Sequence, residues 1–522
     1  MSSNPAIEVK TKPLEPKKEE NLKQRAYLNT VTSVLDYGAT LITAFFVTPF
    51  IVNTLGAALY GVWQVLGQFT GYTNIADARV AEVLKWAIAR DRKENNADQL
   101  REYFTATFFL IMLILPILLV LGAVISWYAP IVTKVDPEYA DMVRITCGVL
   151  VLSLATQKVF NIFESILRGM NLGFKRMGFR VFIVVVGGGL KVLVLFLGYG
   201  LIGLATVQLI VSLITGITIY VIVKHNVSWF GFGKLSIARS KIFLKVSGWF
   251  MGWTVTKILL LSSDKLLLGF LLGPTAVAKY TLTKFLAETI RSLVVTIVNG
   301  VIPGLGKLYG SDQMKKFMKA REMVMNLTWL FAVSFGAVIL SLNSSFVALW
   351  VGYENYAGHI VSLLVVIMTI QYIFIQNDSD IINVTLDIRK KTLLGLFSAI
   401  VSIVLSILLI KSQGIIGLCM SLIVGRSILS ISYPLLIKSK TKVEYNIIPL
   451  TIRQILITFI IYTTIFVFCQ EAFINSWFEL FISAPFILVF SLLMLFILGL
   501  EKVQREELFT LFKQLKLFRM DK

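Results

Sequence analysis

The sequence predicts an all-α polytopic membrane protein of about fourteen transmembrane helices, built as two parallel six-helix repeats plus two C-terminal helices. Three observations predict it. Of the 522 residues 56% are hydrophobic and only 15% charged, with a mean hydropathy of +0.78. Apolar runs of roughly 20 residues, the length that crosses a bilayer core, recur along almost the whole chain. Basic residues concentrate in every second hydrophilic segment, as the positive-inside rule requires.

Residues 1–26 are polar and broken by Pro5, Pro13 and Pro16, which reads as a disordered cytoplasmic tail without a cleavable signal. The expected spans are then 27–52, 59–88, 104–128, 144–168, 179–199, 201–224, 245–272, 276–304, 321–349, 358–386, 392–410, 415–437, 450–470 and 478–499. The second and eighth carry several polar residues and are the least clean.

The loops test this order. Arg90, Arg92, Lys93 and Arg101 follow the second span, Lys175, Arg176 and Arg180 the fourth, and Lys224, Lys234, Arg239 and Lys241 the sixth. Lys307, Lys315, Lys316 and Lys319 follow the eighth, Arg389, Lys390 and Lys391 the tenth, and Lys438, Lys440 and Lys442 the twelfth. The intervening loops are neutral or acidic, Lys134 being offset by Asp136, Glu138 and Asp141; Lys411 is an exception. The alternation predicts an inner-membrane protein with both termini cytoplasmic. The net charge of +20 is thereby explained by topology and anionic headgroups, without nucleic acid.

An internal repeat is visible. Gln157-Lys-Val-Phe160, Glu164-Ser165 and Lys175-Arg176 map, 214 residues on, to Gln371-Tyr-Ile-Phe374, Asp378-Ser379 and Arg389-Lys390. The same shift carries Gly200-Leu-Ile-Gly203-Leu204 onto Gly414-Ile-Ile-Gly417-Leu418, and a shift of 217 carries Leu55-Gly56 onto Leu272-Gly273. The expected domains are an N-lobe (27–224), a cytoplasmic linker (225–244), a C-lobe (245–437), two added helices (450–499) and an amphipathic cytoplasmic tail (500–522). An even number of spans separates equivalent positions, so the repeats run parallel.

Asp36, Lys158, Glu164, Lys191, Lys257, Asp264, Lys265, Lys284, Glu288, Arg291, Asp378, Asp380 and Arg426 fall well inside these spans. Facing lipid, the set would cost roughly 30–45 kcal/mol even on the lenient insertion scale, more than a typical fold's whole stability. They must face each other or water. Tyr280, Lys284, Glu288 and Arg291 form one stripe of the eighth span; Lys257 and Asp264, Gln157 and Glu164, and Gln371 and Asp378 each lie seven apart on one face. A water-filled cleft between the lobes is expected. The alternative, purely structural ion pairs between helices, stays open for any one residue. Ammonium and guanidinium groups neutralise phosphate while carboxylates and amides bond hydroxyls, so a mixed cleft suits a sugar-phosphate ligand.

Other chemistry is poorly supported. Gly231-Phe-Gly233-Lys234 and Gly304-Leu-Gly306-Lys307 lack the spacing of a phosphate loop. Cys147, Cys419 and Cys469 show no metal or disulfide spacing, and His225 and His359 are expected on opposite sides of the membrane. No catalytic constellation, metal site or cofactor is expected.

The chain resembles the polysaccharide flippases of the multidrug/oligosaccharidyl-lipid/polysaccharide (MOP) exporter superfamily, the O-antigen and capsule group. The resemblance rests on Pro49-Phe-Ile-Val-Asn-Thr-Leu-Gly56 with Tyr60-Gly61-Val62-Trp63, on Ile75-Ala-Asp77-Ala-Arg79, and on Ser263-Asp264-Lys265-Leu-Leu-Leu-Gly269 leading to Leu272-Gly273 and Tyr280. It covers roughly 27–437; Ala78 stands where the family usually has Gly after the Asp. It implies alternating access, a central cavity and a polyprenyl-diphosphate-linked oligosaccharide as substrate, moved from the cytoplasmic to the outer leaflet. Lys191, Lys257, Lys265, Lys284, Arg291 and Arg426, with Tyr280, Gln157 and Gln371, are the expected substrate contacts. Asp264, Glu288, Glu164 and Asp378 are expected to couple an ion or hold those cations. The expected partners are the lipid-linked substrate, membrane lipids and polysaccharide-assembly proteins. A drug/cation antiporter of the same superfamily is the alternative; a membrane polysaccharide polymerase fits less well, because no external loop is long enough.

Overall fold

The computed structural model describes residues 16–73, 80–91, 97–235, 237–299, 302–385, 388–441, 450–468 and 473–508, with side chains left aside at 16–27, 29–30, 70–73, 177, 237–250, 297, 299 and 303. Every regular element among them is helical: α1 (Pro16–Thr73), α2 (Val80–Asp91), α3 (Ala97–Thr133), α4 (Ala140–Gly169), α5 (Met177–Phe196), α6 (Gly200–Asn226), α7 (Ile237–Leu272), α8 (Pro274–Asn299), α9 (Ile302–Gly310), α10 (Met314–Val351), α11 (His359–Val384), α12 (Ile388–Thr441), α13 (Ile452–Phe468) and α14 (Trp477–Met494), with short 3-10 and π turns between and after them. The all-α membrane fold is as expected. Helix α1 already begins at Pro16, so helical backbone reaches into the segment read as a disordered leader. Residues 1–15, the Ile75–Arg79 motif and the tail positions Leu511, Phe512 and Leu515 lie outside the described residues.

Among the described residues nine helical stretches are long and apolar enough to cross a bilayer. Two of them are broken between two expected spans. The 54 residues of α12 would span about 80 Å as one rod, against about 30 Å of hydrocarbon. Its helical geometry is interrupted at Gly414 (φ 60°, ψ −134°), and that of α1 at Gly56 (φ 76°, ψ 165°), between the first two and the eleventh and twelfth expected spans. Both conformations are strained for residues with a Cβ, which is why glycine stands there.

The glycines that the repeat aligns behave alike. Gly56 and Gly273 have φ of 76° and 91°, and Gly200 and Gly414 of 54° and 60°. A Cβ at Gly200 would sit 3.9 Å from Leu55, and one at Gly414 would sit 3.9 Å from Leu272. Thus equivalent chain reversals pack against each other in the two halves.

The halves meet along a seam of α1 against α7 and α8, and of α3 against α7. A Cβ at Gly61 would fall 1.8 Å from the Pro274 carbonyl oxygen, so only glycine allows that approach. Val65 packs on Gly269, Lys134 Nζ donates to the Leu271 carbonyl (3.2 Å), and Trp350 Nε1 donates to the Phe45 carbonyl (2.7 Å). Phe45, Phe346, Trp350 and Trp477 form one aromatic cluster across this region. The last two helices lie against α10: Trp329 Nε1 donates to Thr458, Tyr462 to the Val333 carbonyl, and the Ile474 amide to Ser345. Their outer faces stay apolar and exposed, Phe459 at 68% and Phe486 at 72%, as a lipid-facing surface requires.

Candidate functional site

Helix α8 starts at Pro274 directly after Gly273, the residue order favoured where one helix stops and another begins. From that start its polar stripe points at α7 and α11. Tyr280 Oη donates to Asp264 Oδ2 at 2.9 Å, and Lys284 Nζ donates to the same oxygen at 3.0 Å. Lys284 also reaches Glu288 Oε1 (2.9 Å), and Arg291 Nε donates to Glu288 Oε2 (2.7 Å). Tyr280, Asp264 and Lys284 are buried. Charges alternate in sign along the stripe, so each has an opposite partner within reach.

The stripe continues onto α11 and α12. The Tyr372 ring lies between two guanidinium groups, Arg291 Cζ at 5.5 Å and Arg426 Cζ at 5.2 Å from its centroid. Arg426 is buried and donates through Nη2 to the Leu260 carbonyl (2.6 Å), while its Nε is buried without a hydrogen-bond partner among the described residues. Tyr372 Oη donates to Gln376, Gln376 to Asp380, and Asn383 to the same carboxylate, and Lys391 Nζ donates to Asn383 Oδ1 (2.8 Å). A polar line thus runs from Asp264 to Lys391 within the C-terminal half. Hydrogen bonds from the N-terminal half reach it: Lys265 Nζ donates to Gln64 Oε1 (2.9 Å), and Tyr37 Oη donates to the Thr289 carbonyl (3.1 Å). Along this line, among the described residues, the cations Lys265, Lys284, Arg291, Arg426 and Lys391 face the carboxylates Asp264, Glu288 and Asp380, an excess of two positive charges.

The N-terminal half has its own ionic group. Glu164 on α4 pairs with Arg176 (2.7 Å) and Arg168 (2.5 Å), and Asp36 on α1 with Arg180 (3.0 Å). Lys191 on α5 is half-buried, with no side-chain partner among the described residues.

The structure brings Tyr280, Asp264, Lys265, Lys284, Glu288, Arg291 and Arg426 together. Lys257 is exposed on α7, within electrostatic reach of Asp380 and Lys391. The other expected contacts go elsewhere. Gln157 donates to Ser212 on α6 and Gln371 to Ser427 on α12, equivalent bonds inside each half, so both amides tie helices together. Asp378 forms a two-pronged pair with Arg321 (2.8 and 3.0 Å), and Glu164 holds Arg168 and Arg176, so neither holds the expected cations. Sequence reading missed Arg321, Arg176 and Lys391, all buried here, because Arg176 and Lys391 counted only toward topology and Arg321 stood at the edge of a span. Tyr372 carried no charge to flag it; its place four residues before Gln376 and eight before Asp380 was the available signal.

Comparison with known proteins agrees with this fold. The sequence pattern of the family described as "Polysaccharide biosynthesis protein" matches residues 28–309. The Bacillus subtilis (strain 168) "Uncharacterized membrane protein EpsK" is 23% identical over 341 residues, 62% of this chain and 65% of its own length, so the chain spans less than two thirds of that relative. Among solved structures, the "Lipid II flippase MurJ, inward closed conformation" aligns with a TM-score of 0.69 at 14% identity, over 89% of this chain and 97% of that one. The "Inward-facing conformation of a multidrug resistance MATE family transporter of the MOP superfamily" aligns with a TM-score of 0.63 at 14% identity, over 78% and 98%. At that identity the likeness is one of fold.

Proposed function

From the premise that the chain belongs to the polysaccharide biosynthesis protein family, as a MOP-superfamily transporter and not an enzyme, we propose that it flips a lipid-linked oligosaccharide across the membrane. In this reading α1–α6 and α7–α12 are the two lobes, the membrane is the inner membrane, and both termini are cytoplasmic. The substrate is a polyprenyl-diphosphate carrying a polysaccharide repeat unit, handed over by polysaccharide-assembly partners.

The cation excess around Asp264 and Tyr372, at the place where α1 meets α7 and α8, carries the proposal. A diphosphate requires positive charge that is not wholly neutralised by the protein, and the buried Arg426 Nε supplies a donor with no acceptor among the described residues. The carboxylates Asp264 and Glu288 hold Lys284 and Arg291 in place and give the site an ion-responsive element. Outward movement of about two negative charges is favoured by an inside-negative potential, by roughly 2.3 kcal/mol per charge per 100 mV.

Replacement of Arg291 by Ala tests this in cells. The expected result is loss of surface glycan, with the lipid-linked repeat unit accumulating inside and protein levels near normal. Normal export by that variant would remove Arg291 from the substrate path. The MATE-like fold also suits a drug/cation antiporter, for which Asp264 and Glu288 would be the cation site; deletion would then change drug susceptibility and leave surface glycan intact.

A further inference from the structure

The segment following α6 is pinned to the start of α3. Arg101 Nε donates to the Trp229 carbonyl at 2.9 Å, and the Gly233 amide donates to Thr105 Oγ1 at 2.8 Å. Gly231, at φ 156°, and Gly233, whose Cβ would meet the Arg101 side chain at 2.8 Å and the Glu102 amide nitrogen at 2.9 Å, let the backbone lie this close. The fixed loop closes a cup of aromatic rings. Phe104 lies 5.2 Å from both Phe230 and Phe232, centroid to centroid, and Phe163 lies 5.2 Å from Tyr220. The cup, open on one side, offers about 670 Å³, within the roughly 300–1,000 Å³ of small-molecule sites.

Its rim is basic. Lys224 and His225 line it, both exposed, and no carboxylate is among the lining residues. Lys175, from the loop before α5, bonds Asn226 on the same rim. Helix α6 carries no charge until Lys224, so the cup straddles the change from hydrocarbon to charge. Rings of an ordinary aromatic belt lie separately at headgroup depth; here they wall a cavity. Apolar walls with a cationic rim, and no carboxylate among the lining residues, complement one ligand chemistry, an acyl chain carrying a phosphate.

We propose that this cup binds an anionic phospholipid of the leaflet facing the basic loops, its chain among Phe104, Phe163, Phe230 and Phe232 and its phosphate at Lys224. It is separate from the Asp264–Tyr372 cluster, and it lies on the segment that joins the two halves.

The test uses the full-length protein, delipidated in a neutral detergent, with lipid binding followed by native mass spectrometry. Phosphatidylglycerol is expected to bind saturably. The variant Lys224→Gln should weaken it about fivefold, the effect of one basic group near anionic lipid. Phe232, 66% exposed, can be replaced by Ala without disturbing the core, and Phe232→Ala should weaken binding as well. Equal affinity for phosphatidylcholine, unchanged binding in both variants, or displacement by millimolar inorganic phosphate would each overturn the proposal. Transport plays no part in the readout.

Discussion

Lys265 on α7 hands its ammonium to the side-chain oxygen of Gln64 on α1 across 2.9 Å, joining the two halves beside the Asp264–Lys284 pair. The adjacent Asp264 bonds the Lys265 backbone amide and the Lys284 ammonium, which leaves the Lys265 head group to the N-terminal half. A residue of the ionic cluster is therefore also part of the seam.

Replacement of Gln64 by Leu should strand that ammonium at a cost of about 1–3 kcal/mol. The thermal midpoint of the detergent-solubilised protein should fall by a few degrees. In a cycle with Lys265→Met the two effects should fail to add, by about 0.5–3 kcal/mol. Strict additivity would show that the bond is not formed.

The pair of Arg321 and Asp378 is buried on both sides and makes two parallel hydrogen bonds. Arg321→Ala leaves a buried carboxylate alone, a loss of about 3–5 kcal/mol. We expect aggregation or very low yield on size-exclusion chromatography. The double variant Arg321→Met with Asp378→Leu should recover folded protein, because it removes both charges together.

At Gly61 the Cβ of an alanine would overlap the Pro274 carbonyl. Gly61→Ala should hold the seam apart at this point. With Cys147, Cys419 and Cys469 replaced, a cysteine placed at Ala278, which is buried in the seam core, should react faster with a water-soluble maleimide in the Gly61→Ala background. An unchanged labelling rate would contradict the contact.

Alanine at Gly414 (φ 60°, ψ −134°) should cost about 1–3 kcal/mol through backbone strain alone. Alanine at Gly189 meets nothing within 4 Å and keeps helical geometry, so it should be neutral or slightly stabilising. Equal folded yields for the two variants would show that the turn at Gly414 is not formed.

The all-helical membrane fold was legible because bilayer thickness imposes a long apolar run on each crossing segment separately. The repeat was legible in the same local way: Gly56 with Gly273 and Gly200 with Gly414 stand at turns whose backbone requires glycine. The stripe of Tyr280, Lys284, Glu288 and Arg291 followed from helical spacing alone.

Partnership did not follow. Gln157 and Gln371 share a face with acidic residues, yet their bonds go to Ser212 and Ser427 on neighbouring helices. Arg176 and Lys391 read as loop charges, and Arg321 stood unremarked at the edge of a span, yet Glu164, Asn383 and Asp378 draw them inside. By itself the sequence determined which segments are apolar and long enough to cross a membrane and which charges cannot face lipid, since transfer free energy and helical period act along the chain. Tertiary structure alone decided which charges neutralise one another and that Arg291 and Arg426 converge on Tyr372, because ion pairing depends on distances of a few ångströms between helices far apart in sequence.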